Sequence, residues 1–148
     1  MIAPNGVHEQ WAREEIPRWA EGTPHDIWIK TDKRPPAEWE KRKSLKFLCV
    51  NVDRFSTPTS WRWYVDFVKD HKTFLIIDEA TRIKNPDAKR TKNILYGFNR
   101  TLFNGRTIFD NKPLTVARAV LTGTPVTNRP FDVWAMFEFL QPGCTGRN

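Results

Sequence analysis

The stretch Leu75–Asn85, LIIDEATRIKN, sets an apolar run directly ahead of two adjacent carboxylates, Asp78 and Glu79. Leu-Ile-Ile, preceded by Thr73-Phe74, reads as a strand. One acid at the end of such a strand fits a surface turn. Two acids, followed by Ala-Thr-Arg and a basic stretch, fit a place where a metal ion or a water is handled. On these residues alone a helix start stays open as the alternative, with either acid accepting from free amides.

The same alternation continues in both directions. Met1–Pro4 reads as the end of a strand. Val7–Glu15 reads as an amphipathic helix, with Val7, Trp11, Ile16 and Trp19 at near-helical spacing and Pro17 disturbing the later part. HDIWIK is a short strand, PPAEWEKRKS opens with prolines and suits a short helix, and LKFLCVNV is a β-branched run expected to be covered on both faces. In TPTSWRWYVDFVKDH, Trp61, Val65 and Val68 fall on one helical face, with Thr59 or Ser60 as the cap. Beyond Asn85, NPDAKRTKNILYGFNRTLF is expected to be a helix with Ile94, Leu95 and Phe98 inward, and NGRTIFDNKPLT a loop. VARAVLTGT is the last strand. RPFDVWAMFEFLQPG is a closing helix with Val133, Trp134, Phe137 and Leu140 toward a core and Pro142-Gly143 as its stop. Strands alternating with helices imply βα units and one mostly parallel sheet with helices on both faces.

Composition narrows the classes. Of 148 residues, 39% are hydrophobic and 28% charged, a globular balance with enough chain for one core. No apolar run approaches the roughly 20 residues that span a bilayer, and the polar N-terminal stretch does not resemble a signal peptide. Cys49 sits in an apolar run and Cys144 lies far from it, which suits a reducing compartment, cytoplasmic or, in a eukaryote, nuclear. His8, His25 and His71 are scattered, with no zinc-ligand spacing. The net charge of +7 gathers in KTDKRPPAEWEKRKSLK and RIKNPDAKRTKN. Each alone reads as a solvated helix face; both on one small domain point to a polyanion, most simply nucleic acid.

Ligands of open parallel sheets bind at the carboxyl ends of the strands. That rim takes in Asp78 and Glu79 and also TGTPVTN, just past the last strand, whose Thr122 and Thr124 bring hydroxyls and whose Gly123 admits close backbone approach. An aspartate there can hold Mg²⁺, and a neighbouring glutamate can orient or deprotonate a water.

At this point a resemblance becomes specific. LIIDEATRIKN resembles motif II, the Walker B or DEAD/DEAH-type box, of superfamily two helicases. AVLTGTPVTNRPFDVWAMFEFLQPG resembles motif III and the following helix of the Swi/Snf branch of that superfamily. IAPNGVHEQWAREEIPRW is similar to its motif Ia, and FLCVNVDRFS stands in the place of motif Ib. The resemblance implies a RecA-like lobe in which Asp78 coordinates Mg²⁺ on ATP and Glu79 activates the hydrolytic water. It further implies that Thr122, Gly123 and Thr124 couple nucleotide state to DNA, and that Pro4, Asn5, Gly6, Asn51 and Arg54 lie along the DNA backbone. Thr81 replaces the His of the DEAH form.

A nucleoside triphosphatase of this kind also needs a phosphate loop ending in Gly-Lys-Thr/Ser. None of the 7 glycines here is followed by lysine. The expectation is therefore a single partial first lobe over residues 1–148, an incomplete RecA-like sheet spanning motifs Ia to III. A segment or chain supplying the phosphate loop and the second lobe would be its partner, and DNA its ligand. The other reading is a non-enzymatic module, derived from such a lobe, that binds nucleic acid or protein.

Overall fold

Phe74–Ile77, the strand ahead of Asp78, pairs in parallel with neighbours on both sides. The computed structural model describes residues 1–29, 35–57, 61–98, 100–103, 106–109, 114–126 and 129–145. Five strands form the main sheet: β1 (Ile2–Ala3), β2 (His25–Ile29), β3 (Leu45–Asn51), β4 (Phe74–Ile77) and β7 (Ala117–Val120). They run in the order β2-β3-β1-β4-β7, and every pairing is parallel. The registers Ile2↔Val50, Ile2↔Ile77 and Ile77↔Val120 bring the carboxyl ends of four strands level.

Alternation along each strand divides the side chains between two faces. Ile2, Val50, Leu75 and Ile77 point into the larger core, where α4 (Arg62–Asp70), α5 (Lys89–Gly97) and α6 (Trp134–Leu140) contribute Tyr64, Val68, Ile94, Leu95, Met136 and Phe139. Trp61 lies against Gly97, where an added Cβ would stand 2.8 Å from the indole. The short helix α3 (Ala37–Lys41) buries Trp39, which meets Trp28 of β2 and Phe67 of α4. The opposite face is covered over β1, β3 and β2 by one helical run. It comprises α1 (Val7–Gln10), a π turn (Trp11–Glu15) and α2 (Ile16–Trp19), with Ala12 and Ile16 on Cys49 and Phe47.

Three sequence expectations change. The first helix does not end at Glu15: it passes Pro17 and continues to Trp19. A proline ring clashes with the carbonyl four residues back in regular α geometry, and the wide π turn just ahead opens that spacing. Second, the helix expected over 85–103 is confined to Lys89–Gly97. The following residues form a separate antiparallel hairpin, β5 (Arg100–Phe103) with β6 (Arg106–Phe109), where the sequence reading has a helix end and a loop. Third, α6 turns a different side inward. Ala135, Met136 and Phe139 are buried with Glu138, Val133 and Trp134 are half-buried, and Phe137 (54%) and Leu140 (37%) are exposed. The carboxylate of Glu138 accepts from the Gly143 amide and the Thr145 hydroxyl, both at 2.7 Å, so the turn after the helix folds back onto it. The expected caps Thr59 and Ser60 lie outside the described residues.

Among the described residues, β7 has a strand partner on one side only, β4. Arg118 fastens it from the core face, donating to Thr115 Oγ1 (2.8 Å), the Phe139 carbonyl (2.8 Å) and the Phe98 carbonyl (3.2 Å) while stacking on the Phe139 ring. Burial lowers its pKa to about 10, so it stays charged at neutral pH. On the other face, Phe74 is 53% exposed and Ala117 is exposed, beyond the reach of the α1–α2 cover.

An open edge beside bare apolar side chains favours pairing between chains. Light scattering of the isolated chain should therefore show mass rising with concentration, and Phe74→Glu should suppress it while the far-UV spectrum stays native; a concentration-independent monomer would contradict this. The N-terminus gives a second expectation. The Met1 amine donates to the Leu48 carbonyl at 2.9 Å inside the β1–β3 ladder, and burial lowers its pKa, opposed by the nearby Cys49. The folded state thus disfavours the charged amine. Stability should be lowest below the folded pKa and rise with pH up to the unfolded value of about 8. Urea unfolding at pH 6 and pH 8 should show this rise, and Nα-acetylation should remove it; an unchanged slope after acetylation would assign the effect to another group.

Candidate functional site

Because the sheet is parallel, the segments leaving β1, β3, β4 and β7 emerge on one rim, and that rim holds the residues singled out in the sequence. The Asp78 amide donates to the Ile2 carbonyl at 2.8 Å, which extends the β1–β4 ladder by one step. Leu121 N–H donates to Ile77 O (2.8 Å) and Ala80 N–H to Leu121 O (3.0 Å). The strand end and turn around Asp78 and Glu79 are therefore interlocked through backbone bonds with Leu121, the residue that leads into Thr122.

Within this frame the Asp78 carboxylate is half-buried and engaged at both oxygens. Oδ1 accepts from the Glu79 amide at 2.8 Å, and Oδ2 accepts from the indole Nε1–H of Trp11 at 2.6 Å. Glu79 is exposed and has φ 50° and ψ 54°. It is the one non-glycine residue with positive φ among those described. For an L-residue this left-handed conformation costs about 1 kcal/mol or more, and it turns the chain sharply out of the strand into the 3₁₀ turn Ala80–Ile83. That turn, rather than an α-helix, follows the two acids, and neither acid caps it.

Thr122 is half-buried, and its Oγ1 accepts from the Thr124 amide at 3.3 Å, holding the Thr122-Gly123-Thr124 turn; Gly123 and Thr124 are exposed. At the end of β1, Pro4 is buried and its carbonyl accepts from the His8 amide (3.2 Å) and approaches His8 Nδ1 (3.1 Å). Asn5 and Gly6 are exposed, and Gly6 takes φ 81° to start the helix. Asn51 Nδ2 donates to Asn5 Oδ1 at 3.3 Å, and Asn51 Oδ1 accepts from the Asp53 amide at 2.8 Å. Arg54, half-buried, lies in the same 3₁₀ turn (Val52–Ser56), one residue past Asp53. The residues expected along a backbone path, Pro4, Asn5, Gly6, Asn51 and Arg54, are thus brought together by the ends of β1 and β3.

The two basic clusters separate. Arg90 reaches Asp53 at 2.6 Å, placing the start of α5 beside the β3 end of the rim, with Lys89 exposed and Lys92 3.4 Å from Asp87. Lys41, Arg42 and Lys43 lie just before β3, at the opposite end of the strands. There Arg42 (3.0 Å) and Lys46 (2.6 Å) converge on Asp26, whose carboxyl is held well below the usual carboxylate range, by Lys46 first and then Ser44. An apolar cavity of about 530 Å³ also opens at the strand starts, around Leu45, His71, Phe74 and Val116.

Trp11 is the residue that the sequence did not mark for the site. A tryptophan at helical spacing reads as core, and nothing local shows that its N–H will meet a carboxylate 67 residues away.

Comparison with known proteins follows the same lines. A family profile described as SNF2-related domain matches residues 1–147. A TATA-binding protein-associated factor mot1 of Aspergillus fumigatus is 30% identical over 67% of this chain and 4% of its own length. The human SWI/SNF-related matrix-associated actin-dependent regulator of chromatin subfamily A member 1 is 31% identical over 75% of this chain and 8% of its own. Among solved structures, the Sulfolobus solfataricus SWI2/SNF2 ATPase core in complex with dsDNA superposes with a TM-score of 0.58 and 25% identity, over 99% of this chain and 25% of that one. The chain therefore spans a small part of the relatives that it matches. Its five-stranded parallel sheet and helices are those of the RecA-like SNF2 core, and the chain belongs to the SNF2-related domain family.

Proposed function

We propose that this chain serves as part of the first RecA-like lobe of an ATP-dependent DNA translocase of the Swi/Snf type, carrying its motifs Ia to III. The observation that carries the reading is the interlocked rim, where Ile77 and Ala80, which flank Asp78 and Glu79, share backbone bonds with Leu121, the residue before Thr122. In this reading Asp78 holds Mg²⁺ on the phosphates of ATP and Glu79 acts on the attacking water. Thr122, Gly123 and Thr124 respond to the state of that site. Among the described residues no group of three or more His, Cys, Asp or Glu is placed to hold a metal. A single carboxylate fits Mg²⁺, which keeps waters and takes phosphate oxygens rather than an all-protein cage. When bound, the ion neutralises charge on the phosphates. The protein's part is to keep the Asp78 carboxylate oriented and to present Glu79 at a fixed turn.

DNA is the proposed ligand of the Pro4–Gly6 turn, Asn51 and Arg54, supported by the basic start of α5 beside them. The phosphate loop and second lobe would come from another segment or chain, since no Gly-Lys pair occurs here. No helix among the described residues is long and apolar enough to cross a membrane; the proposed setting is the cytoplasm, or the nucleus in a eukaryote, where such motors meet DNA.

The hydrolytic roles are tested in a protein that joins this chain to a Gly-Lys-Thr loop and a second lobe. Glu79→Gln should lower DNA-stimulated kcat by about 10²–10⁴, as expected for a lost general base, with ATP binding retained. The isolated chain should show no DNA-stimulated turnover, and turnover abolished there by Glu79→Gln would overturn the need for the partner segment. Hydrolysis unaffected by the substitution in the joined protein would leave a DNA-binding module without these catalytic roles.

Duplex binding by the isolated chain should be weak, insensitive to sequence and steeply salt-dependent. Lys89→Gln with Lys92→Gln should weaken it and flatten the salt slope by about one to two units, since each lost phosphate contact removes roughly 0.9. Lys41→Gln with Lys43→Gln, at the far end of the strands, should leave both unchanged. Fluorescence anisotropy over a salt series checks this, and the opposite pattern would move the interface to the other end of the sheet.

A further inference from the structure

Asp78 is held from two directions by one unit of chain. Its backbone amide is bonded to Ile2 of β1, and its Oδ2 to Trp11 in the helical run that leaves β1 through Pro4-Asn5-Gly6. At 2.6 Å the indole bond is at the short end for a nitrogen donor, as charge-assisted bonds are. Indole is a donor only, so this contact never competes for a proton and is matched to an ionised carboxylate. Trp11 also opens the π turn, and single π turns within α-helices occur frequently at functional sites.

The two donors leave a defined remainder. An ionised carboxylate has about four lone-pair positions. The Glu79 amide takes one on Oδ1 and Trp11 takes one on Oδ2, so each oxygen keeps a position for a further partner while rotation of the group is blocked.

We propose that Trp11 is a positioning residue: its indole N–H fixes the Asp78 carboxylate so that the free lone pairs stay aimed at the metal position. The proposal rests on the assignment of Asp78 as the Mg²⁺ ligand. It adds to that assignment a residue acting through Asp78 without touching the metal or the nucleotide. It also makes this hydrogen bond a direct connection between the Pro4–Gly6 turn and the hydrolytic rim, since the turn and Trp11 are joined through only α1.

The test uses the 148-residue chain with ¹⁵N-labelled indoles, whose seven side-chain N–H signals are few enough to resolve. Trp11→Phe identifies the Trp11 signal by its loss. In the native chain that signal should lie downfield, as expected for a bond to a charged acceptor, and Asp78→Asn should move it upfield while the Trp39 and Trp61 signals stay in place. Mn²⁺ alone, added as a paramagnetic probe, should broaden the Trp11 indole and the Glu79 amide. In Trp11→Phe the Glu79 amide should need about fivefold more Mn²⁺ for the same broadening, the equivalent of one ordinary hydrogen bond.

A Trp11 signal that ignores Asp78→Asn would overturn the proposal, as would a Trp11→Phe chain with a native Mn²⁺ titration. If Trp11→Phe fails to fold, the Trp11 indole is assigned in the native chain from its through-space contacts, and the Asp78→Asn shift decides. If Mn²⁺ broadens nothing near Asp78 in the native chain, the carboxylate does not hold the ion without phosphate oxygens, and the positioning of Asp78 is judged on the indole shift.

Discussion

The centre of the sheet is held by a strand of two residues. Ile2 and Ala3 separate β3 from β4, and among the described residues no other strand bridges them. So short a strand contributes few ladder bonds, which makes its side-chain burial decisive: Ile2 is 2% exposed and Ala3 is fully enclosed. Full burial of an isoleucine is worth roughly 1.5–3 kcal/mol, comparable with the net contribution of two or three hydrogen bonds. The rim inherits this dependence, because Asp78 is aligned by the Ile2 carbonyl and the Asn5–Asn51 contact forms only if β1 and β3 end level. A single small element therefore aligns both halves of the candidate site.

Around that centre, covering is unequal. The larger core gathers helices from widely separated parts of the chain, while the other face receives one interrupted helix over three of the five strands. Arg118 shows how the uncovered side is stabilised from within. Its guanidinium satisfies two backbone carbonyls at the ends of α5 and α6 and stacks on Phe139. A half-buried arginine anchored to carbonyls is costly to desolvate, but it ties the outermost described strand to the two helices beneath it.

Much of this is legible without coordinates. The apolar runs ending in Asp78 and in Thr122 have lengths that suit strands, and their order around helical segments implies a parallel sheet. That sheet alone puts the acids and the Thr-Gly-Thr turn on one rim. What escapes has physical reasons. WAMFEFL is apolar on nearly every side, so periodicity does not say whether Phe137 or Phe139 turns inward; the packing of α5 and Arg118 decides it. The β5–β6 hairpin does carry a signal that a helical pattern extended across it hides: RTLF and RTIF flank an Asn-Gly pair, the strongest short hairpin cue. The Trp11–Asp78 bond has no local signal, because its partners meet only through the β1–β4 pairing. Sequence counts the two lysine-arginine clusters together toward a polyanionic partner but says nothing of their placement, and the sheet sets them at opposite strand ends.

The left-handed backbone at Glu79 sets thermodynamic stability against the identity of the residue. At φ 50° and ψ 54° glycine or asparagine would be the better choice for folding alone, by about 1 kcal/mol for glycine. A selection for heat resistance that ignored turnover would therefore be expected to drift toward Glu79→Gly or Glu79→Asn within the same backbone trace. Protein engineers seeking a sturdier version of this domain would find the remedy and the loss of the carboxylate at a single codon. Glutamate at this turn carries a conformational cost, and the proposed use of its side chain would account for it.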